Sequence, residues 1–328
     1  MPRYVLRRLL QSLLLVWGLL TVVFFLVRLM PGDPADLIDD QQLGQAGRDL
    51  VRERLGLGGS LPDQYAAWLG GIARGDFGAS LRQQRPVTDI LREAVPSTLR
   101  LTAAALAVEL AAGVGVGVLV ARYPRRRRAR LLNAGGLVLY SLPSFWLGLV
   151  AILLFSRTLG WLPAGGLQSL AAESLPWGAR LIDQMRHLVL PVLVLGLGNF
   201  AVTARHMRTS VGRQLASDWI LAARARGLGE TRILWRHALR GSLPPLLTLV
   251  GLSLPGLLGG AVAVETVFAW PGMGRVAVQA LLARDYPVIM AVTALAATLV
   301  TLGSLLADLA CRWADPRLRL EAGWEEVR

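Results

Sequence analysis

Six apolar runs, each about 17 to 25 residues and so long enough to cross a hydrocarbon core as a helix, constrain this chain more than anything else in it. They are Leu9–Leu29, Leu101–Ala121, Leu131–Phe155, Leu188–Ala204, Leu246–Phe268 and Val288–Ala310. In lipid no water satisfies a backbone N–H or C=O, so a lone apolar run closes its hydrogen bonds within itself and folds as a helix. The chain therefore reads as an all-α integral membrane protein with six transmembrane helices. The fourth run is the shortest and contains Pro191. The first is too long for a signal peptide, and no small-residue cleavage site precedes Pro31. Arg7-Arg8 reads as a charged flank rather than a twin-arginine signal.

Arginine placement sets the orientation, because cytoplasmic loops carry an excess of positive charge. With both termini inside, the inner segments are Met1–Arg8 with 3 Arg, Arg122–Arg130 with 6 Arg and no acid, and Arg205–Leu243 with 8 Arg and 2 acids. The outer segment Pro31–Pro96 has 7 Arg against 10 acids. The Arg125–Arg128 run is then a topology signal rather than a nucleic-acid site. The resulting organisation is a first segment and span at 1–30, an extracytoplasmic loop domain at 31–96, a helical core at 97–310 and a cytoplasmic tail at 311–328. The outer loop is expected to hold helical pieces at Gly47–Leu55 and Leu61–Ala73. In the second piece Tyr65, Trp68, Leu69 and Ile72 share a face. Such a loop serves either as a partner surface or as a plug over the bundle.

Composition removes whole classes of chemistry. All 35 basic residues are arginine. A P-loop needs its lysine to reach the nucleotide phosphates, and Schiff-base chemistry needs one too, so neither belongs to this chain. The single Cys311 allows no internal disulfide and no cysteine metal site. His187 is expected outside and His206 and His237 inside, so they share no metal. No Gly-x-Ser-x-Gly elbow and no His-Glu-x-x-His pair is present.

The polar island from Ser217 to Leu246 interrupts the apolar pattern. Ser217 suits a helix N-cap, with Asp218 in the first turn where a negative charge favours the dipole. Ile220, Leu221, Ala225 and Leu228 recur at helical spacing. Gly227 and Gly229 supply a stop, since glycine accepts the left-handed conformation that ends helices. A second helix fits Thr231 to Leu239, until Gly241 and Pro244-Pro245 break it. Short helix, glycine turn, second helix: that order also describes a DNA-binding helix-turn-helix, but flanking spans hold this one against a membrane.

Ala222-Ala223 followed by Gly227 resembles the "EAA" loop of ATP-binding-cassette importer permeases. Leu221 stands where the family has a leading Glu, and His237-Ala238-Leu239-Arg240 replaces its Ile-x-Leu-Pro. This wording is similar to the peptide and nickel branch. So are Met30-Pro-Gly-Asp-Pro34, Arg54-Leu-Gly-Leu57, Arg74-Gly-Asp-Phe-Gly78 and Arg85-Pro-Val87. Later come Leu142-Pro-Ser-Phe-Trp-Leu-Gly148, Gly160-Trp-Leu-Pro-Ala-Gly165, the run Gly259 to Gly274 and Arg284-Asp-Tyr-Pro-Val288. Several motifs in order cover residues 5 to 317.

The resemblance implies a type I importer fold and a permease subunit forming half of the pathway for di- or oligopeptides. Nickel, glutathione or another small solute is the alternative cargo. It implies a second homologous permease, two ATP-binding subunits carrying ATP and Mg, and an extracytoplasmic solute-binding protein. The chain itself would bind no cofactor, metal or nucleic acid, would catalyse nothing, and would sit in the inner membrane. Within 205–243 a coupling helix would contact the ATPase. Asp218 would open it, Leu221, Ala222, Ala223 and Leu228 would insert, Gly227 would turn the chain, and Arg224 and Arg226 would face acidic groups.

Ionisable residues in spans are functional candidates by default. Glu109 is expected either to line the route or to hydrogen-bond a neighbouring helix; as a proton carrier it would make the chain a secondary transporter. Arg28 and Glu265 are expected to snorkel to water and Asp308 to pair with an inner arginine; Glu265 and Asp308 are also, with Glu109, the candidates for lining the pathway or for helix packing. Gly113, Gly115 and Gly117 are read as close helix packing. Trp161, Trp270 and Tyr286 suit an interfacial aromatic belt.

Overall fold

A computed structural model describes residues 2–29 and 60–314. The expected helix Gly47–Leu55 and the motifs at 30–34 and 54–57 lie outside the described residues, as do the side chains of Arg28 and Asp308. Helices make up the described chain: α1 Pro2–Leu29, α2 Leu61–Ala73, α3 Val87–Arg122, α4 Arg127–Ser141, α5 Ser144–Ala151, α6 Trp177–Leu215, α7 Asp218–Ala225, α8 Leu243–Val267, α9 Met273–Leu282 and α10 Tyr286–Ala314. Among the described residues four helices are long and apolar enough to cross a membrane, or five if one bent pair counts as a single span. The sequence leads one to expect six. The run Leu246–Phe268 is helical as α8, but its described apolar part is the shorter stretch Leu257–Val267.

The expected span over Leu131–Phe155 is a bent pair of helices. Helices 127–141 and 144–158 meet at 107°. The break is chemical: Pro143 disfavours helical backbone in the residue before it, and Leu142 is extended at φ −91, ψ 138. By contrast α6 stays helical over 39 residues with Pro191 inside it, well beyond the 17-residue apolar run.

Two compact units divide the chain. The first comprises Met1–Thr98 and Pro271–Thr301. Its α2 begins with a capping box: Asp63 N–H donates to Ser60 Oγ, and Ser60 N–H donates to the Asp63 carboxylate. The predicted apolar face of α2 packs on α1, with the Tyr65 and Trp68 rings 5.2 and 5.3 Å from that of Phe24. Val87, Ile90, Leu91 and Ala94 form a core with Met273, Ala280, Val288 and Val292. Asp285, 2% exposed, gathers three donors from a tight turn: Ser80 Oγ at 2.5 Å and the N–H groups of Leu81 and Arg82 at 3.2 and 3.3 Å.

The second unit comprises Leu99–Trp270 and Leu302–Arg328. One core joins Leu101, Leu195, Leu257, Val264, Phe268 and Trp270; another joins Val118, Met207, Val211, Leu234 and Ala238. Trp270 is 2% exposed and Tyr286 is buried, so neither belongs to an aromatic belt; Trp161 is exposed. Trp270 N–H donates to the Glu265 carbonyl at 2.8 Å, which folds the chain back over the end of α8. Glu265 is fully buried there and does not snorkel.

Candidate functional site

Residues 205–243 run from the last turns of α6, through α7 and a return helix, to the start of α8. Ser217 occupies the N-cap position with extended backbone, φ −79, ψ 149. Its hydroxyl does not cap α7 but donates back to the Gln214 carbonyl at 2.6 Å, tying α7 to the end of α6. Asp218 lies in the first turn, exposed. Ile220 and Ala223, one helical turn apart, face the chain's own interior. Burying the Ile220 side chain contributes roughly 1.5–3 kcal/mol and holds α7 down on one side.

The opposite side of α7 is open. Leu221 is 63% exposed, and Trp219, Ala222 and Ala225 are exposed beside it. Ala223 is 3% exposed, so the expectation that it inserts into a partner gives way to an anchoring position: α7 is one face in, one face out. Leu228 is half-buried. Gly227 has φ +80 and its N–H donates to the Arg224 carbonyl at 2.9 Å. That left-handed conformation is open to glycine at little cost, so the expected stop is where α7 ends. The second helix is present from Glu230 to Gly241, widened to π-helical geometry over Ile233–Ala238.

The Arg224 guanidinium, its side chain 40% exposed, donates to Glu230 at 2.6 and 3.3 Å. Glu230 also faces Arg122, at the end of α3, at 3.5 Å. The hydrogen bond from Arg224 holds the Glu230 carboxyl below the ordinary carboxylate range, with the charges of Arg224 and Arg122 adding to it. Glu230 therefore fastens α7, the return helix and α3 at one point. Sequence reading missed it, although Glu230 is one of only 2 acids in an arginine-rich loop and follows six residues after Arg224, a visible signal. Arg226 Nε–H donates to the Ala222 carbonyl at 3.3 Å.

Glu109 lies elsewhere, on α3, and is 1% exposed. Its Oε1 accepts from Thr203 Oγ1 of α6 at 3.0 Å and Ser253 Oγ of α8 at 3.1 Å. Oε2 has no hydrogen-bond partner among the described residues. Of its two expected roles, hydrogen bonding to neighbouring helices is the one these contacts supply. The glycines near it separate: a Cβ on Gly113 or Gly117 would meet α6 at 2.6 Å, whereas Gly115 faces open space.

Known proteins place this geometry in a family. Residues 113–320 match the model of the binding-protein-dependent transport system inner membrane component, and residues 1–102 match its N-terminal counterpart. The oligopeptide transport system permease protein AppB of Bacillus subtilis is 37% identical over 97% of this chain and 99% of its own length. A peptide permease protein assigned in Brucella suis is 38% identical over 98% and 100%. The di/tripeptide transport system permease protein DppB of Pseudomonas aeruginosa is 36% identical over 97% and 99%. Among solved structures, a chain of the inward-facing MetNI methionine ABC transporter superposes with a TM-score of 0.56 at 22% identity, over 69% of this chain and 96% of that one. The shared helical fold and the full-length relatives make this a multi-pass membrane protein. It belongs to the family of binding-protein-dependent transport system inner membrane components.

Proposed function

We propose that the chain is the permease subunit of a peptide importer driven by separate ATPases. The exposed outer face of α7 carries the reading: Leu221 and Ala222 stand out from a helix whose other face is anchored by Ile220 and Ala223. Such a helix moves as a rigid peg, because its two ends are fixed by Ser217 on Gln214 and by Glu230 on Arg224. When two ATPase subunits close on ATP, a peg seated in each would carry the motion into the spans. A second permease supplies the other wall of the route, and a solute-binding protein delivers cargo. Peptide is the cargo named for the relatives at 36–38% identity. Both termini and the loop 205–243 lie on the cytoplasmic side, as the arginine distribution requires. Glu109 serves as a hydrogen-bonded tie between α3, α6 and α8; a carrier that must meet water from both sides in turn fits poorly with 1% exposure.

Reconstitution with two ABC ATPase subunits, a second permease and a solute-binding protein of a peptide importer tests this directly. Peptide uptake is expected to require ATP, and Leu221→Asp is expected to abolish uptake while the complex still inserts and the ATPases still hydrolyse. Uphill movement of peptide by the chain alone, or unimpaired uptake by Leu221→Asp, refutes the reading.

A further inference from the structure

A cleft of about 790 Å³ lies between α4, α6 and the start of α8. Its polar lining includes Arg205, Arg213 and Gln214, and its apolar lining includes Leu137, Tyr140 and Leu249. The two arginines sit eight residues apart on α6, about 12 Å along its axis. Among the described residues neither makes a salt bridge. Leu137 and Tyr140 are 60% and 52% exposed, and Val138 beside them is also exposed, so the apolar wall opens onto an apolar surface.

The order along α6 matters. Its apolar run ends at Ala204, and the first charge follows at Arg205. The cleft therefore straddles the level where hydrocarbon gives way to charge. An arginine at that level directs its guanidinium toward the polar side while its stem stays on apolar surface. A site that combines an apolar lining with cationic groups matches one molecule type in both halves.

We propose that this cleft holds an anionic phospholipid of the cytoplasmic leaflet, its phosphate against Arg205 and Arg213 and its proximal acyl chain against Leu137, Tyr140 and Leu249. Basic pockets between transmembrane helices on the cytoplasmic side bind anionic headgroups in this way. The guanidinium fork suits phosphate oxygens, which it can meet with two parallel hydrogen bonds. A soluble anion would use the arginines but leave the apolar wall idle. The inference rests on the proposed orientation, which puts Arg205 at the inner face. It does not depend on which solute is carried.

Native mass spectrometry on the full chain released from detergent micelles tests it, with phosphatidylglycerol and phosphatidylcholine of identical acyl chains as probes. Wild type is expected to retain phosphatidylglycerol better, because the choline ammonium of phosphatidylcholine lies beside its phosphate and is repelled by the two guanidinium groups. Arg205→Ala/Arg213→Ala is expected to lose that preference, and Arg205→Lys/Arg213→Lys to keep most of it; both positions are exposed, so the variants fold. Equal retention of the two lipids by wild type overturns the proposal, as does a preference that survives the double alanine variant. Displacement of the lipid by millimolar inorganic phosphate would also overturn it. So would photocrosslinking from Ser210 in the membrane that captures a second protein chain instead of lipid. Uptake is not the readout, so a failed importer assignment and a failed lipid site give separate results.

Discussion

Replacing Gly117 and Gly115 with alanine, one at a time, puts the helix packing to a controlled test. A Cβ on Gly117 would lie 2.6 Å from Met207 Cβ, 2.7 Å from the Ala204 carbonyl oxygen and 3.1 Å from the Arg208 nitrogen. Carbon atoms pack best at about 3.5–4.0 Å, so α3 and α6 must separate by about 1 Å. Backbone atoms cannot rotate aside to spare them. Overpacking of this kind costs about 1–3 kcal/mol. Gly115, two residues away, has nothing within 4 Å. Both substitutions gain the same helix propensity, up to about 1 kcal/mol, so their difference isolates the packing cost. Gly117→Ala is therefore expected to lie about 1–3 kcal/mol below Gly115→Ala, a factor of roughly 5 to 150 in the folded ratio. Titration of the full chain from mild detergent into sodium dodecyl sulfate, followed by tryptophan fluorescence, measures it. Coincident midpoints for the two variants would refute the close approach of these helices.

Glu230→Gln should leave insertion intact but weaken coupling, seen as ATP hydrolysis that continues while uptake falls; Arg224→Glu/Glu230→Arg, which restores an opposite-charge pair, should recover part of it. Because its folded-state pKa is lowered, the Glu230 contribution is fully present above the ordinary carboxylate range and is lost as pH falls through the lowered value. A spin label at Ala225 should therefore hold constant mobility from pH 8 to 6 and gain mobility only at acid pH, with no such step in Glu230→Gln. Asp285→Ala leaves the donors of Ser80, Leu81 and Arg82 without their acceptor, at about 1–3 kcal/mol; faster trypsin cleavage after Arg82 reports it. Glu109→Gln keeps an acceptor for Thr203 and Ser253 and should retain uptake, whereas Glu109→Leu leaves both hydroxyls unpaired and should lower the unfolding midpoint.

Helix placement was legible in the sequence because apolar length is a local property. The α2 boundaries and its Tyr65 and Trp68 face followed from spacing, and Gly227 marked the end of α7. What stayed hidden depends on partners distant in sequence. Pro143 sits inside an apolar run whose length alone signals a span, so length outweighed the local break. Trp270 and Tyr286 have belt-like composition, yet the fold buries both. Ala223 and Ala222 are adjacent and identical, and only the helix phase relative to the interior separates buried from exposed. The pairing of Arg224 with Glu230 is hidden in the sequence because the acid belongs to the next helix.

The Asp285 anchor has a consequence for synthesis. Ser80 precedes its acceptor by 205 residues, and a ribosome adding about 5–20 residues per second needs roughly 10–40 s to make that stretch. Throughout that interval the turn at 80–82 has emerged and lacks the carboxylate that will secure it. The first unit is thus completed by a segment made long after its beginning. A nascent chain stalled before residue 285 would display that loose turn, a mark by which a protease could tell unfinished molecules from finished ones.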